Sequence, residues 1–314
     1  MSVPLASIVI PTRNGGDTLA AVLDAIARQR TDFEYEIVAV DSGSEDGSLP
    51  LLQRSAARVI TIPPGSFNHG RTRNVAVEHA RGELIVFLVQ DAIPATDDWL
   101  IRLTAPLRGD PVVAGAFGRQ QPTPHATAIS RRYLSEWVAA SPTPRSVRLG
   151  SARELEGLDP LERLQLCAFD NVCSCIRRTV WRHIPFPETP IAEDLEWGRL
   201  ALVAGHRLDY VADAIVLHSH DRSAWYEFSR TYVLHRRLLE VFGLRTIPNL
   251  RVLARAIGSS ARLHLECERR AAREGAGTAG IARALALAVA WPLGQYVGAL
   301  SAARGWKPMR VAAV

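Results

Sequence analysis

A chain of 314 residues, 47% hydrophobic and 22% charged, holds enough apolar material for one large domain or a domain with an appendage. Its net charge of +5 is unevenly spread: residues 222–314 carry 15 basic and 5 acidic residues, a surplus of +10, which leaves about −5 for residues 1–221. An acidic body argues against a nucleic-acid-binding protein, whereas a basic, arginine-rich tail suits anionic lipid headgroups.

Cys167, Cys173, Cys175 and Cys267 are too few for a disulfide framework in a chain this long, and Cys-x-Cys is not the paired spacing of a zinc site. Reduced thiols and a cytoplasmic location are the expectation. MSVPLASIVIPTRN has an apolar stretch but neither a basic flank nor a small-residue cleavage site, so it reads as a first strand and not as a signal peptide.

Apolar runs then alternate with helical patterns. ASIVIPT precedes a helix over residues 18–30, YEIVAVDSG a short helix after Asp46, ARVITIP a helix over 71–80, and ELIVFLVQD a helix over 98–107. This is the βαβ rhythm of an α/β fold with a mostly parallel sheet, whose ligands collect outside the carboxyl ends of the strands. From 120 to 165 the pattern loosens into an insertion, with QPTPH and SPTPR as loops around a helix that includes 133–138. Order returns with FDNVCSCIRRTVW, the acidic helix AEDLEWGRLALVAG and the strand LDYVADAIVLHSH. Residues 222–314 read as a helical, basic extension of a domain spanning 1–221.

Four strand ends carry polar groups: Thr12-Arg13-Asn14, Asp41-Ser42-Gly43-Ser44, Gln90-Asp91, and His218 with His220. One such carboxylate is ordinarily a turn or cap residue; four in one parallel pattern point to a site. Arg71 and Arg73 open a helix, where backbone N–H groups already favour an anion such as a diphosphate. His218 and His220, two apart on a strand, face one way and with Asp91 suit Mg2+ or Mn2+. Glu193 and Asp194 open a helix but cannot both cap it, which frees one to take a proton from a bound hydroxyl.

Together SIVIPTRN, VAVDSGSEDGS, FNHGRTRNVAVEHARGE, VFLVQDAIP, NVCSCIRRTVW, AEDLEWGRLALVAG and VLHSHDRS resemble the family-2 inverting glycosyltransferases of GT-A fold, Rossmann-like nucleotide-sugar enzymes. The HGRTRN, QDA and HSH forms are similar to the rhamnosyltransferase branch that uses dTDP-rhamnose. The resemblance implies nucleotide contacts at Pro11, Thr12, Arg13 and Asp41, with the loop of Gly70, Arg71 and Arg73 near base and diphosphate. It puts the Asp-x-Asp metal motif on Val89, Gln90 and Asp91, so Asp91 is the metal ligand and Val89 stands where the family has its ribose-binding aspartate. A deoxyribonucleotide donor would tolerate that loss, since it lacks one hydroxyl; alternatively Gln90 supplies a neutral hydrogen bond to the nucleotide. By the same resemblance Asp194 is the general base with Glu193 beside it, and His218 is a metal ligand, as is His220. Trp197 either packs on the acceptor sugar or belongs to the core.

The implied reaction moves rhamnose onto a hydroxyl of a bacterial surface glycan or its lipid-linked precursor. Other nucleotide sugars (UDP-galactofuranose, UDP-GlcNAc) and an inactive nucleotide-sugar scaffold are the alternatives. In the tail, residues 284–303 are 20 consecutive uncharged residues, long enough to span a membrane. Their alanine, glycine, Pro292 and Gln295 make insertion marginal, and an interfacial or domain-packed helix is the expectation, with the basic helix 251–273 lying on the inner face of the cell membrane.

Overall fold

The computed structural model describes residues 3–309. Side chains of a strand alternate faces, and in β1 (Ala6–Thr12) Ile8 and Ile10 enter one core while Val9 enters another. Both faces are buried, which is why this strand and its neighbours read as unbroken apolar runs. Helices α1 (Gly16–Ala27), α2 (Ser48–Arg54) and α3 (His69–His79) connect β1 to β2 (Tyr35–Asp41), β3 (Arg58–Thr61) and β4 (Leu84–Leu88). These four strands lie in the order β3-β2-β1-β4, all parallel.

The second half is mixed. After β5 (Ile93–Pro94) and α4 (Trp99–Gly109) come β6 (Val113–Gln121), α5 (Ala128–Ser135), β7 (Arg145–Arg148), α6 (Arg153–Glu156) and α7 (Pro160–Leu166). Then follow β8 (Cys173–Arg177), α8 (Arg178–His183), α9 (Glu193–Val203) and β9 (Arg207–Leu217). The sheet continues from β4 through β8, β6 and β9 to β5, with β7 also on β9. Antiparallel β8 sits between β4 and β6, so β6 and β9 run the same way as β1, β2 and β4, and their carboxyl ends share one edge.

Part of the stretch read as an insertion is therefore sheet. β6 extends to Gln121, and β7 pairs antiparallel with β9. The β6/β9 register slips between Gly118 and Arg119, where partners jump from Val211 to Ile215. A Cβ at Gly118 would lie 2.4 Å from the Ala214 carbonyl, so the bulge requires glycine. Beyond it β9 runs beside Gln120 and Gln121, and the His218 N–H donates to the Gln121 carbonyl at 2.8 Å.

The tail folds into α10 (Ala224–Phe242), α11 (Leu250–Glu274) and α12 (Ile281–Ala303). Ser223 and Asn249 cap the first two by accepting from Tyr226 and Val252, and each ends on a left-handed glycine, Gly243 or Gly275. Leu238 and Phe242 of α10 join the main core. α12 packs on α10 through Gly294 and Gly298, where a Cβ would sit 2.9 Å from the Phe228 carbonyl and 2.3 Å from that of Tyr232. Among the described residues α12 is the one helix long and apolar enough to cross a membrane, with mean hydropathy 1.3, and half of that window is buried in the protein.

Candidate active site

The carboxyl ends of β1, β2, β4 and β9 bring their polar residues to one sheet edge. Asn14, left-handed at φ 48°, locks the first two loops together: its N–H donates to Ser44 Oγ at 2.9 Å and its Oδ1 accepts from the Glu45 N–H at 2.8 Å. Asp41 Oδ2 accepts from the N–H groups of Gly43 and Ser44, at 3.0 and 3.1 Å. Its Oδ1 is buried with no hydrogen-bond partner. An orphan carboxylate oxygen costs about 1–3 kcal/mol unless a donor reaches it. Pro11 and Arg13 flank this edge, both with surface left open.

Asp91, His218 and His220 offer ligand atoms that all lie within 4.8 Å of one another. His218 Nε2 is 3.7 Å from Asp91 Oδ1, His220 Nδ1 is 3.5 Å from Asp91 Oδ2, and the two Nε2 atoms are 3.0 Å apart. Burial, followed by the neighbouring His220, pushes His218 down to about 3 against the opposing pull of Asp91. Burial also lowers His220, and Arg222 and Arg230 add to the depression of both rings. Neutral imidazole is the metal-binding form, so one carboxylate and two neutral rings fit a divalent cation.

The loop bearing His220 is pinned from two sides. Ser130 Oγ lies 2.9 Å from the His220 carbonyl and 2.8 Å from Asp221 Oδ1, bridging the two with its single O–H, and Thr127 Oγ1 donates to Asp221 Oδ1. From α12, Arg283 donates to the Arg222 carbonyl at 2.9 Å and lies 3.5 Å from Asp221.

Across the site, Ala192 takes a left-handed conformation, φ 61°, and turns the chain into α9. Asp194 does not cap the helix. Its Oδ2 accepts from the Asn171 N–H at 3.1 Å, and its Oδ1 accepts from the Leu195 N–H at 2.8 Å. Burial, then the charges of Glu193 and Asp170, push its carboxyl up to about 8. Glu193 responds oppositely: burial pulls it upward, but Arg73 and His69 outweigh that and hold it below the usual range.

The structure gives several of the expected site residues partners within the protein. The anion that Arg73 meets is Glu193: its Nη1 is 2.9 Å from Glu193 Oε1, with both side chains 4% exposed. Arg71 donates to the Ser66 carbonyl and lines a separate cavity with Arg182 and Glu188. Two positions on a helix differ by about 200°, so the two arginines diverge and form no shared diphosphate subsite. Gly70 is explained by packing, since a Cβ there would fall 1.8 Å from the Pro187 carbonyl. Thr12 is buried and donates to Ile10. Gln90 accepts from the Arg13 N–H at 2.9 Å and donates to the Arg13 carbonyl at 3.0 Å, so its amide clamps the loop. Trp197 is fully buried: its rings meet Phe169 and Phe186, and its N–H donates to Ile184, so it is a core residue and not an acceptor platform. Sequence reasoning missed Gln120, Asp170 and Asn171 as site residues: the last two stand in FDNVCSCIRRTVW, which marks no role for them, and Gln120 lies outside every motif.

The family profile described as Glycosyl transferase family 2 matches residues 7–157. The chain is 33% identical over 232 residues to the O-antigen chain rhamnosyltransferase RfbN of Salmonella typhimurium, covering 72% of this chain and 70% of the relative. It is 28% identical to the O-antigen chain rhamnosyltransferase WbaN of Salmonella anatum, covering 73% and 70%. Its fold is similar to that of the mannosyltransferase PcManGT of Pyrobaculum calidifontis, solved with GDP-Man and Mn2+ (TM-score 0.59, 18% identity, 98% and 89% covered). It is also similar to that of glucosyl-3-phosphoglycerate synthase of Mycobacterium tuberculosis (TM-score 0.54, 19% identity, 79% and 81% covered). With a relative this similar over this much of both chains, and with the GT-A sheet and helices in place, the protein is a glycosyltransferase and belongs to glycosyltransferase family 2.

Proposed function

We propose that this enzyme transfers rhamnose from dTDP-rhamnose, with inversion, to a hydroxyl of a bacterial surface glycan or its lipid-linked precursor. The observation that carries the reading is the convergence of Asp91, His218 and His220 on the edge that also bears Asp41. The names of the two Salmonella relatives support rhamnose. Val89 supports a deoxyribonucleotide: with no carboxylate at that position, nothing is left unpaired when the 2′-hydroxyl is missing.

In this reading Asp41 Oδ1 accepts a donor from the base, and the Arg13 loop, held by Gln90, covers the nucleotide. Asp91, His218 and His220 would hold Mn2+ or Mg2+, the imidazole pair favouring Mn2+. When bound, such an ion offsets charge on the leaving diphosphate. Arg222 and Arg230 add positive charge on the same side. Asp194 takes the proton of the acceptor hydroxyl as it attacks, and its raised affinity for protons matches that task near neutral pH. Glu193, held ionised by its pair with Arg73, orients the turn and raises Asp194 through its charge.

The enzyme would work on the inner face of the cell membrane. Arg245, Arg251 and Arg304 line a cavity of about 580 Å³ with Tyr296 and Leu300, and no carboxylate lines it. Ile281, Leu285 and Val289, four residues apart on α12, are exposed. Guanidinium groups beside an apolar face suit an anionic bilayer surface.

The test needs no acceptor: a panel of nucleotide sugars is scored for slow donor hydrolysis with Mn2+, with Mg2+ and with chelator. dTDP-rhamnose turnover that chelator abolishes is the expected result. Preferential turnover of UDP- or GDP-sugars would overturn the donor, and chelator-resistant turnover would overturn the metal.

A further inference from the structure

We propose that Asp170 is a positioning residue that acts through Gln120 to hold His218 in one tautomer, with the Nε2 lone pair turned toward Asp91. The inference rests on the reading of His218 as a metal ligand, but the geometry behind it is independent of any ion. Asp170 is surrounded by donors. Trp137 Nε1 and Gln120 Nε2 donate to its Oδ2 at 2.6 and 2.7 Å, and the Val172 N–H donates to its Oδ1 at 2.9 Å. Burial pushes the Asp170 carboxyl up, against the pull of the Val172 N–H and of Trp137. With Oδ2 accepting from Trp137, Gln120 presents its amino group to the same oxygen and its carbonyl to the other side.

That carbonyl, Oε1, lies 2.8 Å from His218 Nδ1. Two acceptors cannot share a hydrogen bond, so Nδ1 carries the proton and Nε2 is left as the free base. Nε2 is the atom 3.7 Å from Asp91 and 3.0 Å from His220. The relay thus joins Gln120 to a partner 50 residues along the chain before it reaches the imidazole.

Asp170 is itself held firmly. Asn171, the next residue, donates through its N–H to Asp194 and through Nδ2 to Glu193 Oε1 at 3.2 Å, while its Oδ1 accepts from Ser174 Oγ at 2.8 Å. One turn before β8 thus fixes both the imidazole on one side of the site and the two carboxylates on the other. Gln120, Asp170, Asn171 and Ser174 are all buried. Burying four polar side chains costs more than burying apolar ones of equal size unless each is satisfied, and the gain here is a fixed orientation at His218.

The test uses the full chain labelled with 15N-histidine. Without metal, long-range proton–nitrogen spectra should show His218 protonated at Nδ1. In Gln120→Met the acceptor is gone, and the ring should shift toward the Nε2–H form or a mixture. Mn2+ affinity, read by electron paramagnetic resonance, should fall about 10- to 100-fold, the usual cost of losing such a partner. Asp170→Leu, which removes the acceptor that holds the Gln120 amide, should move both signals in the same direction as Gln120→Met. An Nε2–H ring in the unaltered protein overturns the proposal, as does a Gln120→Met protein with unchanged tautomer and Mn2+ affinity. If Gln120→Met does not fold, the unaltered spectrum and Asp170→Leu still decide. An unaltered protein that shows Nδ1–H but binds no Mn2+ would sink the metal reading and leave the tautomer assignment standing.

Discussion

Arg73 Nη1 and Glu193 Oε1 meet at 2.9 Å inside the protein, joining α3 to the first turn of α9 where both side chains are 4% exposed. Arg73 is thereby a structural partner of the acceptor side. Arg73→Met should destabilise the protein by about 3–5 kcal/mol, because it strands a buried carboxylate, whereas the pair Arg73→Met with Glu193→Leu should recover most of the loss. Denaturant unfolding of the parent, both single variants and the double variant checks this. Loss of dTDP binding from Arg73→Met at full retention of stability would return Arg73 to the diphosphate.

Asp194 separates catalysis from stability. Its folded carboxyl is raised to about 8 from 3.8, so between those values the native state holds a proton that the unfolded chain has released. The stabilising contribution is complete below about pH 4 and is lost as pH climbs through 8, since stability falls wherever the native state binds more protons. Asp194→Asn should abolish that part of the decline and melt higher than the parent at pH 8, with little difference at pH 4. Its transfer rate should be about 10²–10⁴-fold lower with donor affinity nearly unchanged. Parent activity should rise with pH toward a plateau above 8. An active Asp194→Asn beside an inactive Glu193→Gln would move the base one residue earlier.

The cluster of Asp91 with two imidazoles makes metal and nucleotide interdependent. dTDP should raise the melting temperature only when Mn2+ or Mg2+ is present, as expected of a ligand that binds through an ion held by the native state. Asp91→Asn and His218→Ala should each weaken Mn2+ by more than about 10-fold, beyond what loss of an outer partner costs at the low end. Calorimetric titration provides the measurement, and equal protection by dTDP in chelator would count against all three ligands.

Docking on lipid can be tested by charge. Each basic residue near an anionic surface contributes about 1 kcal/mol, so replacing Arg245, Arg251 and Arg304 by Glu should reduce binding to phosphatidylglycerol vesicles about 100-fold or more at low salt. Neutral vesicles should bind weakly throughout. Parent protein that stays in the supernatant with anionic vesicles would assign the arginine surplus another purpose.

Gly298 tests the packing of the tail. With a Cβ only 2.3 Å from the Tyr232 carbonyl, Gly298→Ala should cost about 1–3 kcal/mol by overpacking, although alanine favours an isolated helix. A melting temperature equal to the parent's would mean that α10 and α12 adjust without loss.

The parallel strands were legible because β1, β2 and β4 are buried on both faces and read as continuous apolar runs ending in polar residues. β6 was not, because Gly115 and Gly118 interrupt VAGAFGRQQ and its end is polar. β7 was hidden for a related reason: in RSVR only Val147 is buried. At the site, the strand ends carrying Asp41, Asp91 and His218 could be lined up from the repeated strand pattern alone. The relay through Gln120 and Asp170 could not, since buried hydrogen-bond partners fifty residues apart leave no periodic trace. The residue pattern does not display the roughly 200° between Arg71 and Arg73 on α3, and a tryptophan on an acidic helix gives no sign of which face it occupies.

Arg283 of α12 holds the Arg222 carbonyl and faces Asp221, one residue past His220. Catalytic head and basic tail are therefore clamped together at the imidazole loop. A shortened chain ending after α11 would lose its hold on that loop together with the arginine and apolar surface proposed to meet lipid, so one deletion would confound the two tests. Exchanging charges in place dissects the tail cleanly, because α12 also steadies the loop that bears His220.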